Sequence, residues 1–159
     1  MSDHIELYEY KAEEVDDSIK TLWKCLAKEM FEFAPLTLPS EANGNAYLKF
    51  VKEGLAQERS LLLVAKSNNK IVGFAYATLF REYPLEVSEP FAAVNDLYVL
   101  PDFRGRGIGR KLLNECLNRI KEKGFSAVML NVLSEDKAAI KLYEKLGFSI
   151  FTYGMVRHL

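Results

Sequence analysis

The chain is 159 residues long, 49% hydrophobic and 27% charged, which is the composition of an ordinary globular protein with a sizeable core. This length predicts one domain over residues 1–159. The formal net charge of −1 lacks the basic excess of proteins that bind nucleic acid through its phosphates, so no nucleic-acid partner is expected.

The cysteine and histidine content argues against a metal site and against an oxidising compartment. Cys25 and Cys116 both lie in helix-like patterns, and the sequence has neither a Cys-x-x-Cys pair nor a histidine cluster. The start of the chain has no basic stretch leading into an apolar one, and no run of about 18 apolar residues occurs. We therefore expect a cytoplasmic protein with no metal and no membrane partner.

The first half of the chain predicts a strand, two helices and a β-hairpin. A strand-like pattern near Ile5 is followed by helical spacing of apolar residues up to Met30. Ser40 is placed to cap a second helix after an aromatic, proline-bearing loop. Two strand-like runs, 60–66 and 70–80, flank a polar turn with two asparagines, which tolerate hairpin geometry.

The second half predicts alternating strands and helices. These are a strand over 91–100, a helix from Ile108 to Gly124, a strand over 127–133, a helix over 137–146 and a last strand over 148–159. The order is therefore β, α, α, β, β, β, α, β, α, β. It predicts an α/β fold with a mixed central β-sheet flanked by helices.

A glycine-rich turn, residues 104–109, joins the strand that precedes it to the next helix. Arg110 stands where a P-loop requires lysine and where a dinucleotide fingerprint requires glycine, so both patterns fail. Glycines here let the backbone approach a ligand, and the first turn of a helix presents N–H groups to phosphate oxygens. With Arg104, Arg106 and Lys111 nearby, the turn predicts an anion site; the alternative is a tight loop in which glycine only relieves crowding.

Two segments, NDLYVLPDFRGRGIGRKLL and KAAIKLYEKLGF, closely resemble the signature segments of the GNAT superfamily of acyl-CoA-dependent N-acetyltransferases. Arg104, Gly107 and Gly109 match its motif R/Q-x-x-G-x-G/A. The positions that match its second helix are Ala139, Ile140, Leu142, Tyr143, Gly147 and Phe148. The resemblance covers residues 89–150 and implies the GNAT fold, with strands four and five splayed apart. It also implies that the anion is the pyrophosphate of acetyl-CoA, the co-substrate.

The resemblance further implies where the coenzyme binds. Its pantetheine arm would lie between the splayed strands and bond to the main chain of Leu97 and Val99, as an added strand would. The expected coenzyme-binding residues are Leu97, Tyr98, Val99, Arg104, Gly105, Arg106, Gly107, Ile108, Gly109, Arg110 and Asn131. Asn131 replaces a glutamate that some protein N-terminal acetyltransferases carry. Asp136 stands where many members have a pantetheine-binding asparagine, and we expect it to cap the following helix instead.

Two catalytic residues follow from the same resemblance. Transfer needs a base for the amine, a donor for the developing oxyanion and a proton for the departing thiolate. Tyr143 matches the family's usual general acid; the alternative is a core aromatic beside Ile140. Asp96 lies where "NDLYV" is similar to the "EDL" segment of small-amine acetyltransferases, although Asn95 replaces its glutamate. Asp96 would take the ammonium proton; the alternative is a structural hydrogen-bonding role.

In this family the two early helices and the loop between strands three and four shape the acceptor site. Here those segments carry Phe31, Phe33, Tyr47, Tyr83, Glu29, Glu32, Glu82, Glu86 and Glu89. Aromatic and acidic groups together suit a cationic amine with an apolar part. The alternative is that the glutamates are ordinary solvated charges.

The sequence therefore predicts an N-acetyltransferase that acts on a primary amine of a small molecule, such as a polyamine or an aminoglycoside-like compound. Within the same class, the alternative acceptor is a peptide or protein amine. Outside it, the alternative is a noncatalytic acyl-CoA-binding sensor. The resemblance also implies a homodimer formed through the final strand.

Overall fold

Five strands form one sheet with α-helices on both faces in the computed structural model, which describes residues 4–80 and 88–159. The elements are β1 (Ile5–Tyr10), α1 (Asp17–Phe33), α2 (Glu41–Ala56), β2 (Ser60–Ser67), β3 (Lys70–Leu79), β4 (Phe91–Val99), α3 (Ile108–Glu122), β5 (Ala127–Leu130) and α4 (Lys137–Lys145). Short 3₁₀ turns, Ala12–Glu14 and Pro101–Phe103, follow β1 and β4.

The sheet is mixed, as the order of elements predicts. Its strand order is β1-β2-β3-β4-β5, and each neighbouring pair is antiparallel except β4 and β5, which are parallel. The hairpin between β2 and β3 turns at Asn68 and Asn69, whose φ angles of 47° and 64° are left-handed. Asparagine tolerates this conformation better than most residues do, which explains why the turn occurs there.

Each face of the sheet carries its own apolar cluster. On one face, α1 and α2 bury Ile19, Leu22 and Val51 against strand residues that include Phe74 and Tyr76. On the other face, α3 buries one stripe of side chains: Ile108, Leu112, Leu113, Cys116 and Ile120. Fully burying a Leu or Ile side chain contributes about 1.5–3 kcal/mol, so both helical layers hold the sheet firmly.

A β-bulge in β4 decides which way its later side chains point. Tyr76 of β3 pairs with Asp96, but the next residue, Ala77, pairs with Val94, so Asn95 is an extra residue in β4. Side chains alternate between faces along a strand, and one added residue reverses that alternation. Val94 and Leu97 therefore both face α3, whereas Asp96 is turned toward α2.

β4 and β5 separate after a short parallel ladder, as predicted. Their pairing runs from Phe91 with Ala127 to Val94 with Leu130 and ends there. The second half of β4, beyond Asn95, continues along β3 without β5 beside it. The splay opens a gap at the point where the bulge redirects β4.

The C-terminal part of the chain differs from the prediction in two places. β5 ends at Leu130 instead of residue 133, because β4 has diverged and no longer offers a ladder there. Residues 148–159 are not a strand: they form neither helix nor strand, and Tyr153 is 86% exposed and Met155 97% exposed. The alternating pattern of this segment indicates strand propensity, but no described strand lies beside it to supply hydrogen-bond partners.

Candidate functional site

The glycine-rich turn leads directly into α3 and leaves its first N–H groups exposed. Gly105 and Gly107 have φ angles of 75° and 77°, which strongly favour glycine, and no described atom lies within 4 Å of a Cβ built on either residue. The first hydrogen bond of α3 runs from the N–H of Lys111 to the C=O of Gly107 at 3.0 Å. The N–H groups of Ile108 and Gly109 precede it, so helix geometry gives them no partner within the helix.

The N-terminus of α3 also lacks a side-chain cap. The side chains that cap α1, α2 and α4 are Asp16, Ser40 and Asp136. The carboxylate of Asp136 accepts from the N–H of Ala139 at 3.0 Å, as expected from the sequence. In α3 the N-cap is Gly107, which has no side chain to offer, and the first turn has no acidic residue. This helix start therefore presents an uncompensated positive dipole end.

Two cations add to that positive end. Arg110 and Lys111 are exposed, and neither makes a hydrogen bond or ion pair with a described residue. Positive side chains at a helix N-terminus are unfavourable unless an anion lies nearby. The arrangement therefore suits an anion with several oxygens, such as a pyrophosphate.

The two other arginines of the turn are bound to protein groups. Arg104 donates from Nε to the carbonyl of Val99 at 2.8 Å and from one terminal nitrogen to both carboxylate oxygens of Glu29 at 2.9 and 3.0 Å. Arg106 donates to the carbonyl of Asp102 at 2.9 Å. In this structure Arg104 fastens the turn to α1, and the cations that face outward are Arg110 and Lys111.

The main chain of Leu97 and Val99 faces the gap between β4 and β5. Leu100 donates its N–H to the carbonyl of Val72 at 2.8 Å, which makes this pair hydrogen-bonded across β3 and β4. Hydrogen-bonded and non-hydrogen-bonded pairs alternate in an antiparallel ladder, so the N–H and C=O groups of Leu97 and Val99 point away from β3. The Val99 carbonyl accepts a hydrogen bond from Arg104. The Leu97 N–H, the Leu97 C=O and the Val99 N–H have no strand partner among the described residues.

The side chain of Tyr98 points away from the gap between β4 and β5. Its main chain pairs with Phe74 of β3, and its side chain is buried beneath α1, where the hydroxyl donates to Glu29 at 3.0 Å. Burial, reinforced by Glu29, raises the pKa of Tyr98 to about 12. Leu97 and Val99 thus reach the gap, and Tyr98 does not.

A cleft of about 340 Å³ lies where the two strands separate. Its walls are Ala93, Val94 and Asn95 of β4, Met129 and Leu130 of β5, and Asn131, Phe151 and Thr152. Asn131 therefore lies beside the end of the parallel ladder, where the sequence predicts coenzyme contacts. The neighbouring amide of Asn95 accepts a hydrogen bond from the hydroxyl of Thr78 at 2.8 Å.

Asp96 lies on the face of β4 opposite Leu97 and close to α2. Its Oδ2 accepts a hydrogen bond from the Tyr47 hydroxyl at 2.8 Å. Burial raises the pKa of Asp96 to about 6, and the hydrogen bond from Tyr47 acts in the opposite direction. A carboxylate that titrates near neutral pH suits a general base.

Tyr143 is half-buried on α4 and packs against the α3-side cluster, with its ring edge-on to Phe148 at 6.0 Å. Burial, followed by the charge of Asp136, raises the pKa of Tyr143 to about 12. Its hydroxyl makes no hydrogen bond with a described residue. A neutral phenol with an unused proton suits a general acid, and it approaches from the opposite side of the sheet to Asp96.

α4, the glycine turn and β4 meet at one point. A Cβ built on Gly109 would lie 3.8 Å from Val99 Cγ2 and 4.0 Å from Leu142 Cδ2. The two sequence segments that resemble signature motifs are therefore in contact.

The expected acidic and aromatic acceptor site is assembled only in part. Glu29 is engaged with Arg104 and Tyr98, and Glu89 accepts from the Ser126 hydroxyl at 2.9 Å. Glu82, Tyr83 and Glu86 lie outside the described residues. Phe33 is largely exposed at the end of α1.

A second cavity, of about 410 Å³, lies on the α2 face and was not foreseen from the sequence. Its lining comprises Phe50, Glu53, Gly54, Gln57, Arg59, Tyr76, Thr78, Leu79 and Phe80. Tyr76 also pairs with Asp96 across the ladder, so the cavity and the carboxylate share a neighbour. No local sequence signal marks this cavity, because α2, β2 and β3 create it by packing together.

The described residues contain no group of three His, Cys, Asp or Glu side chains arranged to hold a metal ion. Within the same part of the chain, none of the helices has the length and apolar character that crossing a membrane requires.

Comparison with known proteins agrees with the geometry. The sequence model of the Acetyltransferase (GNAT) family matches residues 20–148. The N-acetyltransferase MJ1207 of Methanocaldococcus jannaschii is 40% identical over 85 residues, which are 54% of this chain and 37% of that protein. The [ribosomal protein bS18]-alanine N-acetyltransferase of Haemophilus influenzae is 37% identical over 93 residues, 58% of this chain and 57% of that enzyme. The matches thus span between 37% and 57% of the length of these two relatives.

A solved structure shares the fold over nearly its whole length. The aminoglycoside N-acetyltransferase AAC(6′)-Iy, determined in complex with CoA, superposes with a TM-score of 0.70 at 19% sequence identity. The superposition covers 100% of this chain and 97% of that one.

Proposed function

Because this chain belongs to the GNAT acetyltransferase family, we propose that it transfers an acetyl group from acetyl-CoA directly to a primary amine of a small molecule. One observation carries the proposal: the uncapped start of α3 lies next to a strand gap, and among the described residues its two cations have no ion-pair partner and the main-chain groups of the gap have no strand partner. A pyrophosphate followed by an extended amide-bearing arm is complementary to both features.

The coenzyme would bind in two parts. The pyrophosphate would accept from the N–H groups of Ile108 and Gly109 and lie near Arg110. The pantetheine arm would follow β4, donate a hydrogen bond to the carbonyl of Leu97 and accept one from the N–H of Val99, as an added strand does. This places the thioester near the bulge, between Asp96 on one face and Tyr143 on the other.

The transfer step then needs groups that the site supplies. Asp96 takes one proton from the ammonium group, and the freed amine nitrogen attacks the thioester carbonyl. As the new C–N bond forms and the C–S bond breaks, Tyr143 protonates the leaving thiolate. The nitrogen's second proton returns to Tyr143, and Asp96 releases its proton to solvent, so the products are an acetamide and coenzyme A. The N–H of Leu97, directed into the gap, would stabilise the transient oxyanion.

The α2-side cavity supports a small cationic acceptor. Phe50, Tyr76 and Phe80 give it aromatic walls, Glu53 gives it a carboxylate, and Arg59 is the one cation in the described lining. Aromatic faces and a carboxylate together bind an amine that has an apolar part. The cavity's volume of about 410 Å³ is in the usual range for small-ligand sites, which begins at about 300 Å³.

A peptide amine is the second candidate acceptor. It is favoured by the 37% identity to the Haemophilus influenzae enzyme, whose name specifies an alanine of a ribosomal protein. A peptide would enter through the open space beside Asn95 and Asn131, where the cleft reaches the surface.

The test is product identification by mass spectrometry after incubation with acetyl-CoA and a panel of amines. The panel contains polyamines, aminoglycosides, amino acids and short peptides with free N-termini. Acetylated small amines would support the proposal, and acetylated peptides alone would favour the second candidate. No product from any amine, while acetyl-CoA still raises the melting temperature, would point to an acyl-CoA-binding sensor.

A further inference from the structure

Tyr47 connects α2 to the carboxylate of β4 through a hydroxyl whose position is fixed. Its ring stacks on Trp23 of α1 with centroids 4.9 Å apart and an interplanar angle of 16°. Tyr76 of β3 approaches it edge-on at 6.1 Å. Contacts from two other elements thus orient the Tyr47 hydroxyl toward Asp96 Oδ2, which accepts the hydrogen bond at 2.8 Å.

The packing of α1 on α2 brings Tyr47 to that position. Gly44, one turn before Tyr47, lets the helices approach: a Cβ there would lie only 2.9 Å from Lys20 Cγ. Lys20 and Lys24 of α1 both bind the carboxylate of Glu41 at 2.6 Å, at the start of α2. The stack of Trp23 on Tyr47 therefore follows from how the two helices are joined.

The two oxygens of Asp96 have different environments. Oδ2 is bound by Tyr47, whereas Oδ1 accepts no hydrogen bond from any described residue. Because the Tyr47 bond stops the carboxylate from rotating freely, Oδ1 keeps one direction. A general base needs such a fixed, unoccupied oxygen to reach the proton that it removes.

Among the residues that the structure describes, few ionisable groups face Asp96. Tyr47 approaches from α2 and Tyr76 from β3, while Tyr98, two residues along the same face of β4, is bound to Glu29 of α1, which also holds Arg104. Burial raises the pKa of Tyr47 well above its usual value of 10, so it stays a donor at every working pH. The hydrogen bond from Tyr47 lowers the pKa of Asp96 against the opposing effect of burial.

We propose that Tyr47 is a positioning residue for the transfer reaction: it holds Oδ2 of Asp96 so that Oδ1 is directed at the acceptor amine and takes its proton. This inference rests on the proposed function. It explains why an aromatic stack from two helices ends on one carboxylate oxygen.

The test compares Tyr47→Phe with Tyr10→Phe. Both changes remove a hydroxyl from a tyrosine of the α2-side cluster and keep the ring, but Tyr10 lies on β1 and does not contact Asp96. Two quantities are measured in each protein: the pKa of Asp96, from the NMR shift of its carboxyl carbon without coenzyme, and the pH profile of kcat/KM. A third variant, Trp23→Phe, keeps the hydroxyl and weakens only the stack.

In Tyr47→Phe we expect the pKa of Asp96 to rise by about one unit, because a hydrogen bond to the charged form is lost. The acidic limb of the kcat/KM profile should move up by the same amount, and kcat should fall about tenfold with an unchanged KM for acetyl-CoA. Tyr10→Phe should match the wild type, and Trp23→Phe should shift in the same direction by less.

An Asp96 pKa that is unmoved in Tyr47→Phe would overturn the inference. So would a raised pKa with an unmoved kinetic limb, because Asp96 would then not be the base. If the wild type acetylates no amine, the proposed function fails and the proposed role of Tyr47 in the reaction fails with it. The NMR titration would still report separately whether Tyr47 controls the charge of Asp96.

Discussion

Asp96 is held where its charge is unfavourable for folding. The extra residue Asn95 turns it toward α2, and burial raises its pKa to about 6 against the opposing effect of the hydrogen bond from Tyr47. The folded state therefore binds the Asp96 proton more tightly than the unfolded chain does. Stability from this group is present at low pH and is lost as pH rises from about 4 to about 6.

Replacing Asp96 with asparagine tests both consequences of that burial. Asp96→Asn should lower kcat by about 10²–10⁴-fold, because the base is removed. At pH 7 it should raise the free energy of unfolding by up to about 3 kcal/mol, because a neutral amide avoids the buried charge. Enzyme assays and denaturant unfolding at pH 4 and pH 7 measure the two effects.

A matched change at an exposed carboxylate, Asp17→Asn, should leave kcat unchanged. Its free energy of unfolding should fall from pH 4 to pH 7 by as much as that of the wild type, because Asp96 is still present. An Asp96→Asn protein with wild-type kcat would show that the proton is taken by another group.

Tyr143 offers a similar separation of chemistry from packing. Tyr143→Phe keeps the ring against Phe148, so the melting temperature and the affinity for coenzyme A should not change. Loss of the proton donor should lower kcat by about 10²-fold. Steady-state kinetics and a binding titration measure these quantities. A wild-type kcat in Tyr143→Phe would show that Tyr143 is a core side chain and not the general acid.

Among the elements, the strand–turn–helix unit was the most predictable from sequence. Its signals are local: Gly105 and Gly107 adopt left-handed conformations, and the apolar stripe of α3 begins at Ile108. The contacts that complete the site are not local. The Glu29–Arg104 pair spans 75 residues and the Tyr47–Asp96 pair spans 49, so no sequence window contains both partners.

The prediction of a last strand over residues 148–159 was wrong for a related reason. The alternation in residues 148–159 indicates only that this segment would fit a sheet, whereas forming a strand requires a neighbour with free main-chain groups. The bulge at Asn95 was also not predicted, since only the pairing with β3 reveals it.

The start of α3 can be tested as an element by placing a negative charge on it. Gly107→Glu should weaken acetyl-CoA binding by at least about tenfold, because the carboxylate repels the pyrophosphate and competes for the same N–H groups. Isothermal titration measures the affinity.

Gly124→Glu is the control for that change. Gly124 lies just beyond the other end of α3, also has a positive φ, of 91°, and also has no described atom within 4 Å of a built Cβ. Both variants carry similar backbone strain, about 1–2 kcal/mol, so only Gly107→Glu should lose affinity. Equal affinity for acetyl-CoA in the two variants would contradict an anion site at the start of α3.

For the molecule as a whole, the net charge of −1 does not attract a polyanionic coenzyme. Binding must then depend on the local field of the α3 start. A ligand that binds only the folded protein stabilises it by about 2.7 kcal/mol at one hundred times its Kd. Acetyl-CoA at that concentration should raise Tm by about 5–10 °C in a thermal-shift assay. An unchanged Tm would contradict coenzyme binding.

The most direct test of the whole account is the release of coenzyme A, followed with a thiol reagent, from acetyl-CoA in the presence of one amine at a time. We predict release that requires an amine, yields one coenzyme A per acetylated product, and falls by about 10²-fold or more in Asp96→Asn. Release that is independent of any amine, or no release across polyamines, aminoglycosides, amino acids and peptides, would contradict the proposal that this protein transfers acetyl groups to amines.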